Sequence, residues 1–380
     1  MHLSFSLPID PGLDEDSLAK SIPARSAVFA LFLKAADGSP AAPYLGRTMD
    51  LRRRILRLFR MGRGFSRLPN LREATRLIEY QPVGSGLEAQ WLLYLLNKFY
   101  YPGLYRQRLR LKPPALLKVN LRNRFPRCYP TRRMSNDGSL YYGPFPTRLA
   151  AERFSSEFLD LFKMRRCVED LAPDPSHPGC IYSQMQMCLA PCYTGCTDQE
   201  YQDEVGRVVD SLDAEGRSLI RSLEGERAKA SDGLEFEQAA KLHRKVEKVH
   251  EVLRQKPGLV RNLRDLHAVI VERGAEPKSV LFFRVRAGEL RGPVTLALDE
   301  NVPSPVPLDQ QLRELLDPLA APDLAQSRTP DRPSWEHLSL LARWYYSSFR
   351  QGELLMLHPN QAIPHVRLIR LCRKILAADV

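Results

Sequence analysis

The stretch that decides the fold begins Phe125-Pro126-Arg127-Cys128-Tyr129-Pro130-Thr131-Arg132-Arg133 and continues Asp137-Gly138-Ser139-Leu140-Tyr141-Tyr142-Gly143-Pro144-Phe145-Pro146. It closes on four thiols, Cys167, Cys180, Cys188 and Cys192, the last three in the form C-x7-C-x3-C. This order predicts a pair of basic strands, a Gly-Pro turn and a cluster of cysteines. No other part of the sequence carries so specific a pattern.

The bulk properties limit the class of protein. A length of 380 residues predicts two to four domains. The sequence has no apolar run of the roughly 18 residues that a bilayer span needs. Residues 1–24 lack the basic start, apolar block and cleavage site of a signal peptide, and we expect them to form a flexible arm. These features predict a cytoplasmic location.

The positive charge is concentrated in two runs. The formal net charge is +12; Leu51 to Arg72 contains eight arginines and no acid, and Arg106 to Arg133 contains ten Lys or Arg and no acid. A long run of one sign repels itself unless an anion binds, which favours a nucleic-acid partner over a merely solvated face. The predicted DNA contacts are Arg52, Arg53, Arg57, Arg132 and Arg133.

The cysteines predict a metal site. Seven cysteines in a cytoplasmic chain do not indicate disulfides. Soft thiolates on short loops suit a four-cysteine iron–sulfur cluster or a structural zinc ion. Zinc sites more often use two short pairs, so the wider spacings here favour a cluster. Four reduced cysteines without metal are the remaining alternative, and Cys196 is a competing ligand.

The N-terminal part predicts strands followed by helices. Val28 to Leu33 has the composition of a strand, Asp37-Gly38 is a turn signal, and a second strand is expected to end at Pro43-Tyr44-Leu45-Gly46. Apolar residues then recur at helical spacing from Leu51 to Phe59, with arginines around the other faces. A second, apolar helix is expected over Leu87 to Phe99.

This order of elements, with Tyr-x-Gly ending the second strand, resembles the GIY-YIG nuclease domain. Together with the Phe-Pro-Arg stretch, the four cysteines and the segment Leu234-Glu235-Phe236-Glu237-Gln238-Ala239-Ala240-Lys241-Leu242, it resembles the UvrC family of excinuclease subunits. The resemblance runs from about Ala27 to Leu355 with interruptions. It implies a [4Fe–4S] cluster at the four cysteines, with zinc as the alternative.

The resemblance implies an α+β multidomain fold. The expected parts are a flexible arm at 1–24, a small GIY-YIG-like α/β domain at 25–106, basic strands with the cysteine-rich segment at 107–197, an antiparallel UVR helical hairpin at 198–256 and a partial RNase H-like α/β domain at 257–380. Thr197 is the expected N-cap of the hairpin's first helix, and Asn301 to Pro333 is the expected linker. The family's aspartate-bearing strands and helix-hairpin-helix motifs are not found in the sequence, so we expect no second nuclease centre here.

The resemblance also implies roles for single residues. Tyr44, Arg47 and Arg54 match the family's second-strand tyrosine, the basic residue after it and the helix arginine. The first-strand tyrosine is replaced by Phe29, and the metal-binding glutamate falls on Leu93; Glu88, the nearest carboxylate, belongs to a different helix face. Through the UVR segment the family binds UvrB, and the predicted contacts are Leu234, Phe236, Ala239 and Leu242.

These departures predict a DNA-binding component of nucleotide excision repair that contacts UvrB and has a degenerate nuclease site. One alternative is an active endonuclease that makes a single incision with Mg²⁺ or Mn²⁺ held by an unrecognised ligand. Another is a UVR-motif regulatory protein outside repair.

Overall fold

A computed structural model describes residues 1–10, 14–34, 42–60, 71–298, 306–320, 334–358 and 363–377. Within them the chain forms three antiparallel sheets of four strands each, with helices packed on their faces. The expected α+β class is therefore confirmed. The predicted turn at Asp37-Gly38 and part of the first arginine run lie outside the described residues.

The N-terminal unit is built on the sheet β1-β4-β2-β3. Strand β2 has apolar residues on both faces because both are covered: Phe29 and Leu31 pack towards α2, and Val28 and Ala30 towards α4. Ser85 caps α4 by accepting from the Glu88 amide at 3.1 Å. The elements are β1 (Phe5–Pro8), α1 (Glu15–Ser21), β2 (Ala27–Leu33), β3 (Tyr44–Thr48), α2 (Leu51–Arg60), α3 (Leu71–Ala74), β4 (Thr75–Pro82), α4 (Gly86–Tyr100) and α5 (Tyr105–Arg108).

The flexible arm expected at 1–24 is wrong for the residues that the structure describes there. Strand β1 pairs antiparallel with β4, and Ile9, Leu18 and Ile22 are buried against β2 and α2. Burial of these apolar side chains offsets the entropy lost on ordering the segment. The second strand also differs from the expectation, because it begins at Tyr44 rather than ending at Gly46.

The middle unit is built on the sheet β6-β5-β7-β8. Gly143-Pro144 lies inside β7 and not in a turn as the sequence predicted. Strand β8 pairs with Tyr142 and Gly143, so this sheet extends past the boundary expected at residue 257. The elements are β5 (Ala115–Val119), β6 (Cys128–Thr131), β7 (Leu140–Phe145), α6 (Arg148–Leu159), α7 (Ile181–Gln184), a 3-10 turn (Pro191–Tyr193), α8 (Asp198–Asp213), α9 (Arg217–Asp232), α10 (Phe236–Arg254) and β8 (Arg261–Asn262).

The helical region contains three helices where two were expected. Thr197 caps α8 as predicted, in a capping box with Glu200. The chain turns at Gly216, between α8 and α9, where φ is 83°. A Cβ at this position would lie 2.2 Å from Leu253 Cδ1. The antiparallel hairpin is therefore α9 with α10, and α8 packs beside α9.

The C-terminal unit is built on the sheet β11-β10-β9-β12. The linker expected at 301–333 contains the helix α11, whose buried Leu312 and Leu316 pack on the sheet. Other parts of that segment lie outside the described residues. The elements are a 3-10 turn (Leu263–Asp265), β9 (His267–Arg273), β10 (Ser279–Arg286), β11 (Glu289–Ala297), α11 (Leu308–Ala320), α12 (Trp335–Tyr345), β12 (Glu353–Leu357) and α13 (His365–Ala377).

The N-terminal and C-terminal units share one apolar core, in which Trp91 and Tyr94 of α4 pack with Leu338 and Leu341 of α12. Polar contacts bridge the same interface: the hydroxyls of Tyr94 and Tyr105 each donate to Glu336 at 2.7 Å. Among the described residues no helix is long and apolar enough to cross a membrane.

Candidate functional site

The structure brings Tyr44 and Arg54 together. Strand β3 carries Tyr44, helix α2 carries Arg54, and Arg54 Nη2 donates to Tyr44 Oη at 3.3 Å. Arg47 is exposed on the same strand. A guanidinium beside a phenol presents a cation and a polar oxygen to solvent, which suits contact with a phosphate group.

Phe29 lies in the core and not on a reactive surface. It is 0% exposed and pairs across the sheet with Gly46, where an added Cβ would lie 2.6 Å from Phe29 Cζ. Its ring centroid is 6.1 Å from that of Tyr44. The Phe29 ring therefore packs beside the Tyr44 ring but carries no hydroxyl group.

Neither Leu93 nor Glu88 supplies a carboxylate that could hold a metal ion beside Tyr44. Leu93 packs in the apolar cluster on the α4 face of the sheet, whereas Phe29 and Tyr44 belong to the cluster on the α2 face. Glu88 is buried and accepts from the Gly84 amide at 2.8 Å, so it stabilises the start of α4. Burial raises the pKa of Glu88.

The predicted DNA-contact arginines differ in their surroundings. Arg53 and Arg57 are exposed on α2, and Arg132 and Arg133 are exposed after β6. Arg52 is half-buried and donates to the Ile22 carbonyl at 2.8 Å, so its guanidinium holds the chain before β2.

Several cations of the second basic run are paired with acids from other parts of the chain. Arg106 contacts Glu336 at 2.7 Å, and Arg124 contacts Asp198 at 2.8 Å. Lys118 is buried and contacts Asp137 at 2.6 Å, which holds the pKa of that carboxyl well below its usual range although burial opposes the shift. The run therefore carries fewer free cations than its sequence suggests.

The cysteine loop, residues 163–196, brings the four predicted ligands into one region. Burial first, and then the charges of Cys167, Cys180 and Cys192, raise the pKa of Cys188 to about 11. The backbone turns sharply between them, with positive φ at Gln186, Ala190 and Thr194. Such conformations are uncommon outside glycine and often mark functional loops.

The thiols are near one another but do not form a single-ion site as placed. In the described part of the chain, no group of three or more His, Cys, Asp or Glu side chains is arranged to hold a metal ion. The donor set is nonetheless four soft sulfurs, of which Cys188 Sγ accepts from the Ala190 amide at 3.3 Å. Thiolates with N–H donors suit iron–sulfur ligation.

Sequence reasoning missed Arg165, which is only 1% exposed beside the cysteine loop. It donates to the Phe125 carbonyl at 2.8 Å, to the Glu169 carbonyl at 2.7 Å and to Cys167 Sγ at 3.4 Å. None of these acceptors is a carboxylate. A buried cation needs negative charge nearby, and the nearest polarisable acceptor that the structure gives Arg165 is the sulfur of Cys167. The signal in the sequence was an arginine two residues before Cys167, the first predicted ligand.

The predicted UvrB contacts divide into exposed and buried positions. Leu234 is 71% exposed and Phe236 is 69% exposed, at the turn between α9 and α10. Leu234 also has a φ of 60°, an unusual value for leucine. Ala239 is half-buried, and Leu242 is 3% exposed within the hairpin core. Leu242 is therefore not available to a partner, contrary to the prediction, because α9 already covers it.

Comparisons with known proteins match about two thirds of the chain. Residues 115–211 match the family described as "UvrC/Cho excinuclease, middle domain". The "UvrABC system protein C" of Carboxydothermus hydrogenoformans is 33% identical over 255 residues, 66% of this chain and 41% of that protein. The protein of the same name from Methanothermobacter thermautotrophicus is 28% identical over 272 residues, 71% of this chain and 45% of that protein.

The chain spans less than half the length of these curated relatives. No solved structure matches it.

Proposed function

We propose that this chain, which belongs to the UvrC/Cho family, is a cytoplasmic DNA-binding component of nucleotide excision repair that contacts a UvrB-like protein and does not cut DNA. The carrying observation is the site around Tyr44 and Arg54. It keeps the phosphate-facing pair at 3.3 Å but has Phe29 and Leu93 where the GIY-YIG pattern needs a hydroxyl and a carboxylate.

The chemistry of phosphodiester hydrolysis explains why this combination favours binding over cutting. Arg54 with Tyr44 can neutralise a phosphate and orient it, as can the exposed Arg47. Activating the attacking water needs a metal held by a hard carboxylate, and Leu93 cannot ligate one. Binding of double-stranded DNA is then the function that the N-terminal GIY-YIG-like unit retains.

Partner binding is assigned to the UVR-like turn between α9 and α10. Leu234 and Phe236 expose two large apolar side chains side by side, with Glu235 and Glu237 adjoining them. Exposed anchors ringed by charge are typical of helix-on-helix recognition, and they suit a matching hairpin of a UvrB-like protein.

Cys167, Cys180, Cys188 and Cys192 are proposed to hold a [4Fe–4S] cluster, with zinc as the alternative. The four soft donors, the N–H donors to sulfur and the buried Arg165 fit a negatively charged thiolate cluster. Bound there, a cluster would supply a one-electron centre and a covalent clamp on the cysteine loop. Iron, sulfide and zinc contents of anaerobically purified protein decide between the two.

The test of the function is incision of a lesion-bearing duplex with Mg²⁺ or Mn²⁺, with and without UvrB. We expect no incision by the wild-type chain, together with intact binding of DNA and UvrB. Incision that is lost in Arg54→Ala and kept in the exposed control Arg153→Ala would overturn the proposal. That outcome would establish the active single-incision alternative, which the retained pairing of Tyr44 with Arg54 favours.

A further inference from the structure

A cleft of about 320 Å³ lies between the middle unit and α12, away from the cysteine loop and from the hairpin turn. Lys112, Arg132 and Arg343 contribute cations to its wall, and none of the described residues that line it is acidic. The strand and helix elements that form it come from residues far apart in sequence. No motif in the sequence indicates this cleft.

The cations at the cleft differ in whether hydrogen bonds hold their side chains in place. Lys112 and Arg132 are exposed, and among the residues that the structure describes neither side chain has a hydrogen-bond or ion-pair partner. Arg343 is fixed, because its guanidinium donates to the Leu109 carbonyl at 3.0 Å and to the Arg110 carbonyl. Since those acceptors are neutral, Arg343 keeps its positive charge facing the cleft region.

The N-terminal unit places one cation, Arg47, close enough to act on Arg343 at the cleft. Burial first, and then the nearby charge of Arg47, lower the pKa of the Arg343 guanidinium. Arg47 therefore lies within electrostatic range of the cleft while sharing β3 with Tyr44. Cations held close together form a favourable site for phosphates.

The remainder of the wall is apolar and aromatic. Pro113, Phe145 and Tyr346 line the cleft, and the Tyr346 hydroxyl donates to the Pro144 carbonyl at 2.8 Å, which fixes its ring. A cationic groove with an aromatic side chain is the usual arrangement for single-stranded nucleic acid, in which phosphates pair with cations and bases contact rings. The volume is at the lower end of small-ligand pockets of about 300–1,000 Å³, which is too small for a duplex.

We propose that this cleft binds one or two nucleotides of single-stranded DNA, with Lys112, Arg132 and Arg343 on the phosphates and Tyr346 against a base or sugar. The inference rests on the proposed DNA-binding function and deepens it. Under this proposal Arg132, which the sequence predicts as a DNA contact, belongs to a single-strand site that is separate from the duplex-binding arginines.

The test compares two fluorescent probes, a short oligothymidine and a duplex, by anisotropy over a range of salt concentrations. Lys112→Ala/Arg132→Ala is expected to weaken oligothymidine binding about tenfold or more and to reduce the salt slope by about 1.4, with duplex affinity nearly unchanged. The matched control Lys245→Ala/Lys248→Ala removes two exposed cations from α10 and should change neither.

Each other outcome overturns the inference. Unchanged oligothymidine binding in the double variant, or equal weakening on both probes, would show that the cleft is not a single-strand site. A wild-type chain that binds duplex but not oligothymidine would sink the inference and leave the proposed function standing; one that binds neither would sink both. An oligonucleotide carrying 5-iodouracil is expected to crosslink to the peptide containing Tyr346, and crosslinking only elsewhere would also contradict the assignment.

Discussion

Arg165 Nη1 donates to Cys167 Sγ at 3.4 Å, from a side chain that is only 1% exposed. The arginine joins the cysteine loop to the sheet, since its Nε also donates to the Phe125 carbonyl. A buried guanidinium that touches a sulfur and no carboxylate links the stability of this region to the charge of the thiols.

The first prediction concerns this contact. Arg165→Lys keeps a cation but loses the planar set of donors, so protein purified anaerobically should retain iron yet show a more negative reduction potential. Arg165→Met, which removes the charge, should lower the iron content. Arg153→Met, at an exposed arginine of α6, is the control. Wild-type iron content and potential in both Arg165 variants would show that the arginine has only a packing role.

The second prediction concerns the close approach of Phe29 to Gly46. Because a Cβ at residue 46 would lie 2.6 Å from Phe29 Cζ in a filled core, Gly46→Ala should destabilise the N-terminal unit by about 1–3 kcal/mol. Denaturant unfolding, followed by tyrosine and tryptophan fluorescence, measures this change in the free energy of unfolding. Gly86→Ala is the control, since a Cβ there meets nothing within 4 Å. Equal effects of the two substitutions would contradict the packing described.

The third prediction is a pH dependence of stability at Glu272. Burial raises the pKa of this carboxyl to about 7. Hydrogen bonds from Ser85 and from Trp344 Nε1, the latter at 2.7 Å, oppose the shift because they favour the ionised form. The charge of Glu88 adds to the upward shift of the pKa. With the folded-state pKa above the ordinary value of 4.5, the stabilisation is complete below about pH 4.5 and is lost as the pH rises through 7.

Glu272→Gln should therefore raise the melting temperature at pH 8, by an amount corresponding to about 3 kcal/mol at most, and change it little near pH 4.5. Glutamine mimics the protonated acid and keeps an acceptor for Trp344. Glu276→Gln, at a side chain that is 68% exposed, serves as the control and should show no such pH dependence. An identical shift for Glu272→Gln at both pH values would refute the assignment.

The fourth prediction separates the exposed and buried members of the hairpin. Phe236→Ala should abolish or strongly weaken UvrB binding, measured by calorimetry, without changing the melting temperature, because the ring is 69% exposed. Leu242→Ala should instead destabilise the hairpin by about 2–5 kcal/mol, because this side chain is 3% exposed. UvrB binding by Phe236→Ala at wild-type affinity would remove the hairpin turn from the proposed interface.

Local patterns predicted much of the secondary structure. The helix from Leu51, the helix near Leu87 and the N-cap at Thr197 all follow from apolar spacing and cap chemistry, which act over a few residues. Where long-range packing decided, the predictions were wrong. The segment before residue 24 is ordered by pairing with β4. One predicted helix is divided at Gly216, which has a φ of 83° and no room for a Cβ beside Leu253.

By itself the sequence determined the family and the chemical types at the candidate sites: a tyrosine with arginines, four thiols and an apolar helical turn. Only the tertiary structure decided which of these side chains are exposed and free to contact a partner. It buried Leu242 and exposed Phe236, paired Lys118 and Arg124 with acids distant in sequence, and assembled the cleft at Lys112, Arg132 and Arg343. The reason is physical: burial and charge pairing depend on neighbours in space, which residue spacing along one segment does not specify.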